Sequence, residues 1–397
     1  MSTPGHSTPH RLLGVDAARA LALFGMMSVH ITPSVMASGE VSAAYEIASG
    51  RASALFAVLA GVGLALASGG TSPPRGRALA AASVGTAARA LVLLLVGLTL
   101  GAFESGVAVI LAYYALLFIV AIPFLGLRSR VLLPLALAWM IGTPFVSQAL
   151  RLQVDRGVPD NPTLESLADP SGLLIELTLT GYYPILQWTG YILLGLAIGR
   201  LRLRAPRMGW WLLGGGVSMA LSAQLVSWLL LERAGGMTQL VSVGAGSHPV
   251  ANRPLEIALE TGFFGVTPTT SWWWLSVAAP HSGTAFDLAY TSGVAVAVLG
   301  AMLLLGRLVG RWLWPLAAIG SMTLTLYSLH VVLLDTLVPR ETDSALLIHV
   351  LIAAAVAVPW RTFVGRGPLE FLAAGVALLA RDAVANRTTP AVRSSRR

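Results

Sequence analysis

Ten apolar runs, each approaching the length that crosses a bilayer, alternate with polar connections along the chain. They fall at residues 14–35, 52–69, 87–103, 106–126, 131–149, 177–199, 209–231, 285–306, 314–338 and 345–364. About 20 consecutive apolar residues span hydrocarbon as an α-helix. Backbone groups cut off from water there must pair within a helix or a closed barrel. A barrel would show short alternating strands, whereas these runs are continuous. The pattern predicts an all-α polytopic integral membrane protein of about ten transmembrane helices. The third and fourth runs, separated only around 101–106, predict a tight helical hairpin. The second (ALFAVLAGVGLALASGG) carries Ala57 and Gly61 at small-xxx-small spacing, which lets neighbouring backbones approach closely and explains Gly61 without chemistry.

The polar connections divide into two sets. Arg11, Arg75, Arg77, Arg89, Arg128, Arg130, Arg200, Arg202, Arg204, Arg207, Arg307, Arg311, Arg361 and Arg366 fall on the side of the amino terminus. Arg51, Arg151, Arg156, Arg233, Arg253 and Arg340 fall on the other, with nearly all the acids, among them Asp155, Asp160, Glu165, Asp169, Glu232 and Asp343. The positive-inside rule then predicts that both termini are cytoplasmic. An odd number of crossings would mix the two sets. The polar start MSTPGHSTPH, followed by a run carrying Asp16 and Arg19, does not read as a cleavable signal peptide. One domain is expected over 1–386, with a basic disordered tail over 387–397 suited to anionic lipid. Asn386–Arg387–Thr388 is a glycosylation triplet on the wrong side of the membrane for use.

Two outward connections, 150–176 and 232–284, are too long for simple turns and are expected to cover an outward-opening cavity. The second holds Trp272, Trp273 and Trp274. Anchoring at the outer interface is their favoured role, ahead of stacking on a sugar ring.

Composition narrows the chemistry. Apolar residues make up 55% and charged residues 11%, and mean hydropathy is +0.75, which sets the chain apart from soluble globular domains. The absence of cysteine excludes thiol nucleophiles, disulfides and thiolate metal sites. Every basic residue is arginine, so Schiff-base chemistry is excluded too. The net charge of +8 is spread between spans and fits membrane topology better than nucleic acid. GRLRLRAPR (199–207) could hold an anionic nucleotide, although positive-inside anchoring explains it more cheaply. No metal-ligand spacing is evident; His281 and Asp287 stand six apart without further ligands.

The first run, RLLGVDAARALALFGMMSVH, breaks the apolar rule with Asp16, Arg19 and His30. Ionisable groups inside a membrane cost about 2.5–3.5 kcal/mol on insertion scales, which marks them as functional candidates. Arg19 and His30 are eleven residues apart, so they share a helix face about 16 Å apart along the axis. His30 lies nineteen residues beyond Arg11 and His330 nineteen beyond Arg311. Both spans run outward, so the two imidazoles are expected at one depth. A hydrogen-bonded core role for each is the bland alternative.

RLLGVDAARALALFGMMSVH resembles the first span of the transmembrane acyltransferase superfamily. This group includes the type-3 acyltransferases, the heparan-α-glucosaminide N-acetyltransferases and the YeiB-like bacterial membrane proteins. Its arginine and histidine separated by ten residues are matched by Arg19 and His30. GRASALFAVLAGVGLAL is similar to the F-x-x-L-x-G second span, GSMTLTLYSLH to a late span ending in Tyr-x-x-His, and GRGPLEFLAAGVALLAR to the YeiB-like closing motif. The lysosomal heparan enzymes carry asparagine in place of His30 and their histidine a little further on. Residues 31–51 here contain no histidine, so His30 can be a base only on the type-3 pattern.

The resemblance implies transfer of an acyl group, acetyl first among them, from cytoplasmic acyl-CoA to a hydroxyl or amine of a glycan or lipid outside. Acyl-CoA would be a co-substrate, with no tightly bound cofactor. His30 would be the general base, with His330 or Tyr327 as hydrogen-bond donor to the developing oxyanion. Arg19 would bind a donor phosphate, or equally pair with Asp16 one turn earlier. Glu370, in the closing motif, is expected to cap or brace rather than catalyse. A transporter or lipid translocase using the same buried groups is the competing class, and an accessory membrane subunit the third. The expected location is the cell membrane.

Overall fold

A computed structural model describes residues 12–154, 159–243 and 254–385. The tail 387–397, the triplet at 386–388, Arg11, Asp155, Arg156 and Arg253 lie outside the described residues. The described residues are predominantly helical, without strands; one isolated bridge joins Val35 to Val41. The helices are α1 (Leu13–Ile31), α2 (Ala43–Ala48), α3 (Arg51–Ala67), α4 (Gly76–Gly101), α5 (Leu111–Ala121), α6 (Ser129–Arg151), α7 (Pro170–Ile175) and α8 (Ile185–Gly199). They continue with α9 (Met208–Trp228), α10 (Gly236–Ser242), α11 (Leu255–Thr261), α12 (Ala285–Leu308), α13 (Trp314–Gly320), α14 (Thr323–Thr336), α15 (Ala345–Phe363) and α16 (Pro368–Ala385).

Each of the ten apolar runs contains a helix. Six helical stretches are long and apolar enough to cross a membrane, and α13 with α14, bent by 57°, makes a seventh. Three expected spans fall short of that measure. α1 is diluted by Asp16, Arg19 and His30, while α5 and α8 have only 11 and 15 residues. Position in the bundle explains how they can be short. Nearly all of α8 is buried, and α1 packs on α3, α12 and α13 at the centre.

α4 begins at Gly76, eleven residues before the expected start at 87, because GRALAAASVGTAARA continues the helix without a breaker. Arg89 is therefore inside a helix, not at its end. α16 was not anticipated as a separate element. It packs along α4, and Arg77 donates to the carbonyls of Val384 and Ala385 at its end.

Two close approaches need glycine. A Cβ on Gly195 would lie 2.1 Å from the Val58 carbonyl oxygen, and one on Gly61 2.4 Å from that of Ile192, so α3 and α8 cross backbone to backbone. A Cβ on Gly320 would meet the Asp16 carbonyl oxygen at 1.7 Å, which ties the end of α13 to α1.

The break between α13 and α14 leaves backbone N–H groups at an internal helix start, which need acceptors. Glu370 supplies them. Its Oε1 accepts from Leu324 N at 2.7 Å and Thr325 N at 3.1 Å, and its Oε2 accepts from the Thr325 hydroxyl at 2.6 Å. Glu370 thus caps the half-helix. Glu370→Ala is expected to cost about 2 kcal/mol, the upper range for a lost cap. A thermal unfolding curve in detergent unchanged by the substitution would contradict this role.

Candidate active site

His30 ends α1, and His330 sits in the middle of α14. Their depths match as expected: His30 Nδ1 lies 3.1 Å from His330 Nε2, with the rings stacked at 5.4 Å between centroids. A third imidazole, absent from the sequence reading, extends the row. His349, near the start of α15, places Nδ1 2.9 Å from His330 Nδ1 and Nε2 3.0 Å from the Val338 carbonyl oxygen. Both nitrogens of His330 are thereby engaged, which removes it as an oxyanion donor. Tyr327, one turn before His330, has its ring 6.4 Å edge-on to His30, and its hydroxyl oxygen accepts from Ile110 N at 3.3 Å.

Two cavities lie in the bundle, outer and inner by the sides that the arginine distribution predicts, and of the row only His30 lines one of them. An outer chamber of about 220 Å³ is lined by His30, Tyr45, Tyr182, Tyr183, Phe263, Phe264, His281 and Arg340, among others. An inner chamber of about 710 Å³ is lined by Arg19, Arg89, Arg361, Arg366 and Glu370, with Phe56, Tyr114 and Phe118. On α3, Ser53 faces the outer chamber and Phe56 the inner. These α3 residues are three apart, a rise of about 4.5 Å, whereas on α1 the nearest lining residues, Met26 and Arg19, are seven apart, a rise of about 10.5 Å. Tyr114 lines the inner chamber, its hydroxyl donating to the Ser53 carbonyl at 3.4 Å.

Arg19 pairs with Asp16 at 2.8 Å and still lines the inner chamber; Asp16 stands behind it, buried and away from the cavity. Both anticipated roles for Arg19 are thus sterically open at once. Arg89 is the sharper finding. Its guanidinium lies 5.6 Å over the Phe118 ring, and its Nε is buried without a hydrogen-bond partner. Among the described residues no carboxylate comes within ion-pair reach of it. GRLRLRAPR contributes no residue to this chamber. Arg200 from that stretch is structural: it donates to the Ala65 carbonyl in the last turn of α3, to the Ser68 and Gly70 carbonyls beyond it and to Leu125 O.

Aromatic lining of the outer chamber comes from irregular segments rather than from the tryptophan triplet. Trp274 is buried in a satellite core with Leu240, Leu255 and Phe263, whereas exposed Trp272 stacks on Phe145. His281 holds a left-handed backbone conformation (φ 54°), a strained state that non-glycine residues keep only where the surroundings enforce it. Its ring stacks on Trp188 at 6.4 Å. Burial pushes His281 down to about 4, so it is neutral at physiological pH. Among the described residues no group of three metal-ligating side chains is arranged to hold an ion.

A helical membrane bundle that holds a basic cavity and an aromatic one, the second lined by the first imidazole of the histidine row, defines a membrane protein with interior sites. The catalytic-domain family of heparan-alpha-glucosaminide N-acetyltransferase matches residues 11–228, more than half of the chain, and the chain belongs to that family. The membership carries a membrane acetyltransferase type of activity. No curated protein matches the chain. His30, Arg19 and Arg89 lie within the matched segment; His330, His349, Arg340, Arg361, Arg366 and Glu370 lie beyond it.

Proposed function

We propose that the protein moves an acetyl group from acetyl-CoA on the cytoplasmic face to a hydroxyl or amine of a glycan or lipid on the outer face. The observation carrying this reading is the pair of chambers that succeed one another along α1 and α3, with His30 lining the outer one. The inner chamber has the volume of a ligand site and four arginines, whose guanidinium forks suit phosphate oxygens. The outer chamber is small and walled by rings, which fits one sugar unit better than a nucleotide. In this reading the bundle makes ten crossings, with α1, α5 and α8 crossing inside it and both termini on the arginine-rich side.

The thioester carbonyl would lie between the chambers. His30 Nε2 takes the proton from the acceptor as its oxygen or nitrogen attacks the carbonyl carbon. The negative charge that develops on the carbonyl oxygen meets the Tyr327 hydroxyl. The carbon–sulfur bond then breaks, the acetyl group stays on the acceptor, and the proton passes to the departing thiolate.

Sealed vesicles containing the protein, given radiolabelled acetyl-CoA on the inner-chamber side, are expected to accumulate label in acceptor on the opposite face. Label that never leaves acetyl-CoA, with envelope glycans and lipids supplied, would overturn the proposal. The bend between α13 and α14 is also a transporter feature. A carrier would instead move its substrate with no acetyl donor present.

A further inference from the structure

The three imidazoles form a hydrogen-bonded row whose far end is a backbone carbonyl, and a carbonyl only accepts. His349 Nε2, 3.0 Å from Val338 O, must therefore carry a proton. In the neutral ring Nδ1 is then an acceptor. His330 Nδ1, 2.9 Å away, must donate to it. His330 Nε2 is left as an acceptor, so His30 Nδ1 at 3.1 Å carries its proton toward it. Each step follows from the last, and the row ends with one atom unassigned: Nε2 of His30, on a ring that lines the outer chamber.

We propose that His330 and His349 are positioning residues that lock His30 in its Nδ1–H form, leaving the Nε2 lone pair free to act as a base in the outer chamber. Catalytic histidines are commonly oriented by a carboxylate at the second nitrogen. Here no described carboxylate bonds to any of the three rings, and a carbonyl two imidazoles away does the orienting. The row is nearly dry: His330 and His349 are each 1% exposed. An unmatched N–H there would cost about 1–3 kcal/mol, so the proton order is strongly set. The inference bears on the base of the proposed transfer, but the tautomer itself is a property of the resting protein.

Two substitutions at the far end of the row test it. His349→Leu keeps bulk but offers His330 no acceptor. His330 is then expected to move its proton to Nε2 and donate to His30, which turns His30 into its Nε2–H form and masks the base. His349→Asn presents a carbonyl oxygen near the old Nδ1 position and restores the acceptor. In protein with ¹⁵N-labelled histidine in nanodiscs, the His30 signals, assigned by their loss in His30→Gln, should report protonated Nδ1 in the parent and His349→Asn. They should report protonated Nε2 in His349→Leu. Turnover should fall at least about 100-fold in His349→Leu, the usual share of general base catalysis, with donor KM unchanged and with recovery in His349→Asn.

Protonated Nε2 on His30 in the parent protein overturns the proposal without any variant. So does a His349→Leu protein that keeps the parent tautomer. An inverted tautomer in a protein that transfers no acetyl group would uphold the row and remove only the acetyltransferase reading.

Discussion

Replacing His30 with alanine is expected to lower acetyl transfer at least about 100-fold, and toward 10⁴-fold if no water replaces the base. The fold should survive, because His30 is half-buried at the end of α1, outside the apolar packing that holds the helices together. Donor affinity should also survive, since the arginines that would hold it lie about three turns away on α1 and on other helices. The measurement is single-turnover transfer in detergent-solubilised protein, with donor binding followed separately. Transfer by His30→Ala at the parent rate would remove His30 from the chemistry and leave the outer chamber without a base on the histidine row.

Arg89→Met should have effects of opposite sign on binding and on stability. A half-buried guanidinium resting on Phe118, its Nε without a hydrogen-bond partner and no carboxylate within ion-pair reach, is a standing cost to the empty protein. Removing the charge while keeping an apolar stem should raise the unfolding temperature. It should also raise the KM for acetyl-CoA by about 10- to 100-fold, because a charge-assisted hydrogen bond contributes about 1.5–3 kcal/mol. Acetyl-pantetheine, which lacks the nucleotide phosphates, separates the causes. Its KM should be the same in parent and variant. A variant that loses affinity for both donors equally would show that Arg89 shapes the cavity rather than holding an anion.

Six or seven of the spans were legible because hydropathy is a local property, and the matched depth of His30 and His330 followed from counting residues from Arg11 and Arg311. Other parts of the site were hidden for specific reasons. Arg89 reads as a flanking charge because apolar scoring starts the third span at 87, whereas helix propensity carries α4 back to Gly76. The break at Ser321–Met322 has no proline to announce it; it became apparent only through Glu370, forty-odd residues later, capping the new helix start. His349 sits four residues into its apolar run, where it looks like a residue near the surface. A third imidazole in LLIHVLI was the available clue. The aromatic lining could not be read at all, since Tyr182, Tyr183, Phe263 and Phe264 are brought together by irregular connections whose paths periodicity does not encode.

The proposed transfer between the two chambers has a consequence for how voltage bears on turnover. In that transfer only a two-carbon fragment would pass between the chambers, while the nucleotide remains on its own side. The fragment leaves the thioester as the equivalent of a cation travelling outward, and the acceptor's proton travels inward to the sulfur. The two displacements cancel. Such an exchange carries no current, so a cell could decorate its exterior at any membrane potential without drawing on that potential.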